Sequence, residues 1–216
     1  DGKMVATACA DHIARIYQLP SCELITELIG HDAPVLGIDF SLDGKQLLTV
    51  SADGSARLWD VKTGYGLALL EGHTDRVVEG KFHPDNFHIA TASRDHTVKL
   101  WESGTLEQMG ITFKGHKKRV DRLAFHPDSL RIASASADLT ARIWSLDHPE
   151  STVVLKGYPS VANNRARDRL LGDVSSVHFT PDGKGLWTGA KDMDGAYQPS
   201  ISHIKLGGVR SLEFQP

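Results

Sequence analysis

A stretch of 30 residues occurs three times in this chain, and its repetition constrains the fold more than any other feature of the sequence. The copies begin at His31, His73 and His116. In each copy an Asp follows the His by 22 residues, and a Trp follows that Asp by 6. Successive copies are offset by 42 and 43 residues. A period of this length with fixed internal spacing is typical of repeat architectures, in which each repeat forms one unit of supersecondary structure.

Each full repeat divides into four short segments with the composition of β-strands. In the second copy, strands are predicted at 77–82, 88–93 and 97–101, with 109–113 as a fourth, and Pro84 begins a turn after the first strand. Short strands at regular spacing, without helical periodicity, predict an all-β protein. Because a four-stranded unit of this size cannot bury both faces alone, we expect the units to pack radially as the blades of a β-propeller.

The sequence predicts a single propeller domain or fragment with about five repeats. Its units are a partial repeat at 1–30, full repeats at 31–72, 73–115 and 116–157, an insertion at 158–173, a degenerate fifth unit at 174–208, and the start of another at 209–216. The insertion is inferred because Phe125 and Phe179 are 54 residues apart, 11 more than the period predicts. Trp187 falls in a predicted strand of the fifth unit and is expected in its core.

The repeated residues resemble the WD-repeat family. The resemblance rests on the Gly-His pair that begins each copy, the Ser-x-Asp turns, and the pair Trp59-Asp60 that ends the first copy. It implies antiparallel four-stranded blades in a ring that commonly has seven, so we expect this chain, which lacks an initiator Met, to be a fragment of such a ring. The alternative is a five-bladed ring in which the two ends of the chain complete one blade.

The resemblance also implies one hydrogen-bonded tetrad of His, Ser, Asp and Trp in each repeat. The predicted tetrads are His31, Ser51, Asp53 and Trp59; His73, Ser93, Asp95 and Trp101; and His116, Ser136, Asp138 and Trp144. Thr49, Thr91 and Ser134 have the same strand parity as the three serines and are alternative hydroxyl groups. A buried carboxylate needs hydrogen-bond partners, which the other members of each tetrad supply.

Ser, His and Asp together also make up a catalytic triad. Because the set recurs at identical offsets, whereas nucleophilic catalysis needs one site, we predict a structural role and no catalytic residues. The other histidines share no ligand spacing, and no glycine-rich phosphate loop joins a strand to a helix. The sequence therefore predicts no metal site and no cofactor.

Composition argues against several classes of partner. With 24 basic and 27 acidic residues the formal net charge is −3, which does not favour bulk binding to nucleic acid or to an anionic membrane. No apolar run approaches the length of a transmembrane helix, so no membrane association is predicted. Cys9 and Cys22 form no disulfide framework, although a single bridge between them stays open, and we expect an intracellular location in the cytoplasm or nucleus.

The resemblance places partner-binding positions on the face that carries the Gly-His and Ser-x-Asp turns. Carried over by position, the candidates are Leu36, Arg76, Val78, Arg94, Arg119, Asp121, Ser175, Lys191 and Arg210, with Arg165, Arg167 and Arg169 in the insertion. Because this set is basic in a net acidic chain, we expect it to bind an acidic or phosphorylated segment. The alternative is an ordinary solvated face with an unstructured insertion.

These observations predict a non-catalytic interaction scaffold that binds other proteins or peptide segments within a larger protein or complex. The alternative is a propeller that binds RNA, which a steep loss of affinity with rising salt would identify. A third hypothesis is a propeller enzyme with its site in the central channel, but no isolated cluster of acid–base residues in the sequence supports it.

Overall fold

A computed structural model of the chain describes residues 2–103, 108–156, 173–190 and 200–205. Throughout these residues the structure consists of β-strands joined by turns, with no helix, which confirms the all-β prediction. Accordingly, the described residues contain no helix long and apolar enough to cross a membrane. The chain divides into two compact units, Asp1–Thr112 and Phe113–Pro216.

The first unit contains three antiparallel sheets, and in each of them the strands follow one another in chain order. The first sheet consists of β1 (Met4–Ala8), β2 (Ala14–Gln18) and β3 (Leu24–Leu28). The second consists of β4 (Val35–Phe40), β5 (Gln46–Ser51), β6 (Ala56–Asp60) and β7 (Gly66–Leu70). The third consists of β8 (Val77–Phe82), β9 (His88–Ser93), β10 (Val98–Glu102) and β11 (Gln108–Phe113).

The second unit contains two further antiparallel sheets. One consists of β12 (Val120–Phe125), β13 (Arg131–Ser136), β14 (Thr140–Ser145) and β15 (Thr152–Lys156). The other consists of β16 (Val174–Phe179), β17 (Gly185–Ala190) and β18 (Ser200–Lys205). The three full repeats thus form four-stranded antiparallel sheets of the kind that make up propeller blades.

The first strand of four sheets contains a β-bulge at the same place. The register shifts between Val35 and Gly37 in β4, and equivalent shifts occur in β8, β12 and β16. A bulge leaves one residue without a partner on the neighbouring strand and redirects its side chain. The skipped residues are Leu36, Val78, Asp121 and Ser175.

Within the first unit, neighbouring sheets pack face to face through apolar side chains. The second and third sheets share a core that contains Leu48, Val50, Val77 and Trp101. Gly80 is required at this contact, because a Cβ atom there would lie 2.7 Å from side-chain carbons of both Leu48 and Val50. Since each sheet covers the face of its neighbour, the repeat buries surface that a single sheet would leave exposed.

The two sheets of the second unit pack in the same manner. Their shared core includes Ala133, Ile143, Val174 and Leu186. The ring of His126 meets the ring of Phe179 edge to face at a centroid distance of 4.7 Å. The contact joins the ends of β12 and β16, the first strands of the two sheets.

The prediction that Trp187 lies in the core is wrong. Leu186 and Thr188 are buried, whereas 43% of the Trp187 surface is exposed. Successive side chains of a strand point to opposite faces, and β17 buries the face that Leu186 and Thr188 share. Trp187 therefore lies on the other face of the strand.

Both cysteines are free thiols, and Cys22 is exposed while Cys9 is half-buried. The bridge that the sequence left open is therefore not formed.

Candidate functional site

Each full repeat contains a hydrogen-bonded network of His, Asp, Trp and a buried hydroxyl. In the first, His31 Nδ1 lies 2.7 Å from Asp53 Oδ2, and His31 Nε2 lies 2.8 Å from Thr49 Oγ1. The Trp59 indole N–H donates to the same Thr49 oxygen over 2.8 Å. Because an ionised carboxylate only accepts hydrogen bonds, His31 carries its proton on Nδ1, and its Nε2 accepts from the Thr49 hydroxyl. The neutral imidazole thus has a partner at both nitrogens.

The same network recurs in the next two repeats. The equivalent sets are His73, Asp95, Thr91 and Trp101, and His116, Asp138, Ser134 and Trp144. Every hydrogen bond in these two sets measures between 2.7 and 2.9 Å. The geometry is thus preserved although the sequences of the repeats differ.

The hydroxyl in these networks is not the one assigned to the tetrads, so the choice of Ser51, Ser93 and Ser136 is corrected to Thr49, Thr91 and Ser134. Register explains the difference. Trp59 pairs with Leu47, so Thr49, two residues further along β5, is its diagonal neighbour on the same face. Ser51 lies two residues beyond Thr49.

The three serines instead connect the Ser-x-Asp turns to the preceding loops. The Ser51 hydroxyl donates to the carbonyl of Ala33 over 3.0 Å and accepts from the backbone N–H of Asp53 over 3.1 Å. Ser93 donates to the carbonyl of Asp75, and Ser136 to that of Arg119. Each serine thereby fixes the turn that carries the network carboxylate.

Each network carboxylate also accepts hydrogen bonds from outside the His–Trp pair. Asp53 Oδ1 accepts from the backbone and the hydroxyl of Ser55, and Oδ2 accepts from the backbone N–H of Asp32. Burial alone would raise the pKa of Asp53, but the hydrogen bonds from Ser55 and His31 outweigh burial and lower the pKa to about 2. The same balance lowers the pKa of Asp138 to about 2.

Burial decides against nucleophilic catalysis by these networks. Thr49, Thr91 and Ser134 have 0% of their surface exposed. Each hydroxyl oxygen already accepts an indole N–H. A substrate carbonyl therefore cannot approach these oxygens in the folded sheets, although a nucleophile must contact its substrate. The networks act as latches between the turn, the strand and the Trp of one sheet.

Four of the predicted partner-binding residues are the bulge residues of the first strands, namely Leu36, Val78, Asp121 and Ser175. Leu36 is 41% exposed, and the other three are half-buried. The bulge leaves these residues without a partner on the neighbouring strand, and it redirects their side chains near the start of each first strand.

Arg76 and Arg94 lie together in the third sheet. The backbone N–H of Arg94 donates to the carbonyl of Arg76 over 2.9 Å, and both residues are exposed. Neither guanidinium forms an ion pair within the described part of the chain. The carboxylate that follows Arg94 belongs to Asp95, which is bound by His73, Thr74 and Thr97.

Arg119 differs from these two arginines because it is already paired. It donates to Asp121 over 3.0 Å and to Asp173 over 2.6 Å. Burial would lower the pKa of Arg119, but the two carboxylates raise it. Arg119 therefore links β12 to the residue that precedes β16, and its charge is largely balanced within the unit.

The remaining partner-binding candidates, Lys191, Arg210, Arg165, Arg167 and Arg169, lie outside the described residues.

One group that sequence reasoning did not assign comes together at the turn between β8 and β9. His83, Asp85 and His88 place potential metal-ligand atoms within 4.8 Å of one another. The available signal was the sequence His-Pro-Asp at the end of a predicted strand, with a second His three residues after the Asp.

Comparison with known families agrees with the repeats. The profile described as "WD domain, G-beta repeat" matches residues 22–60, 64–102 and 108–145, which together make up more than half of the chain. A search of curated proteins found no match. The chain belongs to the WD-repeat family, as its repeated residues predicted.

Family membership defines the coarse function. WD repeats indicate a protein-interaction scaffold in general, and proteins of this family generally bind other proteins without catalysing a reaction. Function in such a fold depends on the exposed residues that a given chain presents and not on the scaffold itself.

Proposed function

We propose that this chain is a scaffold that binds an acidic or phosphorylated segment of another protein at Arg76 and Arg94. The observation that carries the proposal is the pair of exposed arginines joined by the backbone hydrogen bond from Arg94 to Arg76. An arginine presents a planar fork of N–H donors that matches a carboxylate or phosphate. Two such forks on adjacent backbone segments suit an anionic group better than either alone.

The carboxylates beside these arginines are already engaged. Asp95 is held by the latch, and Asp75 accepts the backbone N–H of Arg76 over 2.7 Å. Asp75 is nevertheless exposed and reduces the local positive charge. Net attraction therefore requires a ligand that contacts the guanidinium groups directly, as a short phosphorylated or acidic segment does.

Arg119 has a different role in the proposal. Because Asp121 and Asp173 already bind it, an acidic partner would have to displace one of them. Arg119 therefore contributes less to affinity than Arg76 or Arg94.

An intracellular location within a larger assembly is also part of the proposal. It is supported by the low cysteine content, two residues in 216, which is not that of a disulfide-rich secreted domain.

The test is a screen of the folded chain against acidic, phosphoserine and matched neutral peptides, followed by titration of the peptides that bind. We expect acidic or phosphorylated peptides to bind, and Arg76→Glu and Arg94→Glu each to weaken binding by about tenfold or more, since about 1.4 kcal/mol corresponds to a factor of ten. Arg119→Gln is expected to cost less.

Lys45→Glu is the matched control for the change of charge. The Lys45 side chain is 80% exposed, and the residue directly precedes β5. Arg94 instead directly follows β9, the strand equivalent to β5, so the two residues lie at opposite ends of equivalent strands. Affinity equal to that of the parent in both arginine variants, or an equal loss in Lys45→Glu, would contradict the proposed site. Preference for RNA over every peptide, with a steep dependence on salt, would favour nucleic acid instead.

A further inference from the structure

The turn between β8 and β9 brings two imidazole rings onto one carboxylate. His83 Nδ1 lies 3.0 Å from Asp85 Oδ1, and His88 Nδ1 lies 2.5 Å from Asp85 Oδ2. The two rings stand nearly perpendicular, at 87°, with centroids 5.7 Å apart. All three potential ligands therefore converge on one small volume.

The backbone of the turn fixes this convergence. His83 N–H donates to the carbonyl of His88 over 2.8 Å, so the two residues face each other across the hairpin. Asn86, with φ +62°, closes the turn by donating to the carbonyl of His83 over 3.0 Å. The Asn86 side chain in turn accepts the backbone N–H of Leu42 over 2.7 Å, which ties the turn to the neighbouring sheet. The three side chains are therefore held in place without a ligand.

The fourth sheet has an arginine in place of the second histidine. His126 and Asp128 correspond to His83 and Asp85, but Arg131 stands where the third sheet has His88. The Arg131 guanidinium donates to Asp128 Oδ2 over 2.6 and 2.9 Å. A permanent cation thus balances the carboxylate of the fourth sheet. In the third sheet the same place holds an imidazole, which offers a lone pair when neutral.

The second sheet provides a further contrast. Its corresponding residues are Ser41, Asp43 and Gln46, and neither a hydroxyl nor an amide is a preferred ligand for a transition metal. Among the sheets with described turns, the third is thus distinguished by two nitrogen ligands beside the turn Asp.

We propose that His83, Asp85 and His88 bind a divalent transition-metal ion of the Zn²⁺ type. The ligand atoms are Nδ1 of each histidine and one carboxylate oxygen of Asp85. Two imidazoles and a carboxylate are preferred ligands of Zn²⁺, and three protein ligands leave a fourth tetrahedral position for water. Metal–ligand bonds of about 2.0–2.2 Å place tetrahedral ligands roughly 3.3–3.5 Å apart. The potential ligand atoms lie within 4.8 Å of one another, and the two histidines contact different oxygens of Asp85. Coordination through one oxygen therefore requires a rotation of the two more exposed side chains, Asp85 and His88.

The protonation states permit coordination. His83 Nδ1 accepts the backbone N–H of Asp85 over 3.2 Å, so this nitrogen is unprotonated, and coordination of a metal ion by its lone pair replaces that hydrogen bond. On metal binding, the proton that His88 Nδ1 shares with Asp85 moves to His88 Nε2, so the neutral ring coordinates through Nδ1.

Burial of the three side chains also suits a metal site. The His83 side chain is 6% exposed, which fixes one ligand, whereas those of Asp85 and His88 are each 34% exposed. A hydrated ion therefore has access from solvent and meets one preorganised ligand. His88 begins β9 and Arg94 follows its end, so this site is separate from the proposed peptide site, and either can fail alone.

The test is calorimetric titration of the chain with Zn²⁺ alone, at neutral pH in a non-chelating buffer. The parent is expected to bind one ion per chain at this site. His88→Arg copies the natural arrangement of the fourth sheet, so it should fold and bind Zn²⁺ at least about tenfold more weakly, as expected when a ligand is lost. Asp85→Asn should weaken binding similarly.

His148→Gln is the control, because His148 is an exposed histidine beside Glu150 and should not affect the titration. The thermal midpoint should rise with Zn²⁺ in the parent but not in His88→Arg, because a ligand bound only by the folded state stabilises it. Equal Zn²⁺ affinity in the parent and in a folded His88→Arg variant would overturn the proposal, as would a parent that binds no Zn²⁺.

Discussion

Truncation of Trp101 to alanine is expected to lower the free energy of unfolding by about 3–5 kcal/mol, the usual cost of removing a buried Trp. Trp101 is 2% exposed and belongs to the core shared by the second and third sheets. Its indole N–H donates to the Thr91 hydroxyl over 2.8 Å. Its ring and the His73 ring are arranged edge to face, with their centroids 6.3 Å apart. The variant therefore loses apolar packing and leaves the Thr91 hydroxyl with one partner fewer.

Urea denaturation of the parent and the variant measures this loss. Trp187→Ala is the matched control, since Trp187 is 43% exposed and should cost much less. If the two truncations lowered the unfolding free energy equally, Trp101 would not have the structural role assigned to it.

Acid is expected to weaken the fold through the latch carboxylates. The pKa of Asp53 and of Asp138 falls from an ordinary 3.8 to about 2 in the folded chain. A carboxyl with a depressed folded pKa stabilises the protein fully above its unfolded pKa, and this contribution is lost as pH falls toward the folded pKa. The window is therefore between about pH 4.5 and 2, and each of the two carboxyls contributes about 2 kcal/mol.

His31 changes stability in the same direction at higher pH. Burial lowers the pKa of His31 below its ordinary 6.5, despite the opposing effect of Asp53. The folded state therefore binds this proton less readily than the unfolded state, and stability declines once pH falls below about 6.5. Acidification thus lowers the free energy of unfolding through protonation of both His31 and Asp53.

The measurement is urea unfolding at a series of pH values from 7 to 2. Asp138→Asn should be less stable than the parent at pH 7 but should lose less further stability between pH 4 and 2. An identical slope in the parent and in this variant would show that Asp138 does not carry the predicted linkage.

The sequence alone could predict the latches in part, because His31, Asp53 and Trp59 recur at fixed offsets in later repeats. It could not choose between Thr49 and Ser51, since both lie on the same face of β5 and both are buried. Only the register of Trp59 opposite Leu47 selects Thr49. Periodicity therefore identifies the strands and their faces, whereas diagonal contacts depend on pairing that periodicity does not contain.

The charges of the candidate surface show a second limit. The adjacency of Arg119 and Asp121 is visible in the sequence, but the ion pair with Asp173 joins residues 54 positions apart. Arg76 and Arg119 occupy the same repeat position, yet the first is exposed and the second is neutralised by two carboxylates. Position within a repeat thus predicts where a side chain lies but not which charges it meets.

The proposed metal ligands could not be predicted from the repeats for a related reason. His83 and its repeat equivalent His126 both follow a first strand and precede Pro-Asp, so the repeat itself does not distinguish them. The difference lies at His88 and Arg131, which begin β9 and β13 and become partners of the turn Asp only when the hairpin closes. A departure from the repeat was therefore more informative than the repeat itself.

We propose that the buried latch residues stabilise the fold, while the exposed arginines beside them bind the partner. Thr91→Val and Arg94→Glu test this claim directly, because the residues are three positions apart and Thr91 is fully buried. For each variant, urea unfolding is measured together with titration of an acidic or phosphorylated peptide that the parent binds.

Thr91→Val should lower the unfolding free energy by about 2 kcal/mol, because His73 Nε2 and the Trp101 indole lose their shared partner. The same variant should bind the peptide with the affinity of the parent. Arg94→Glu should leave stability unchanged and weaken binding by about tenfold. The opposite pattern, with Thr91→Val abolishing binding at full stability or Arg94→Glu unfolding the chain, would contradict this division of roles between buried and exposed residues.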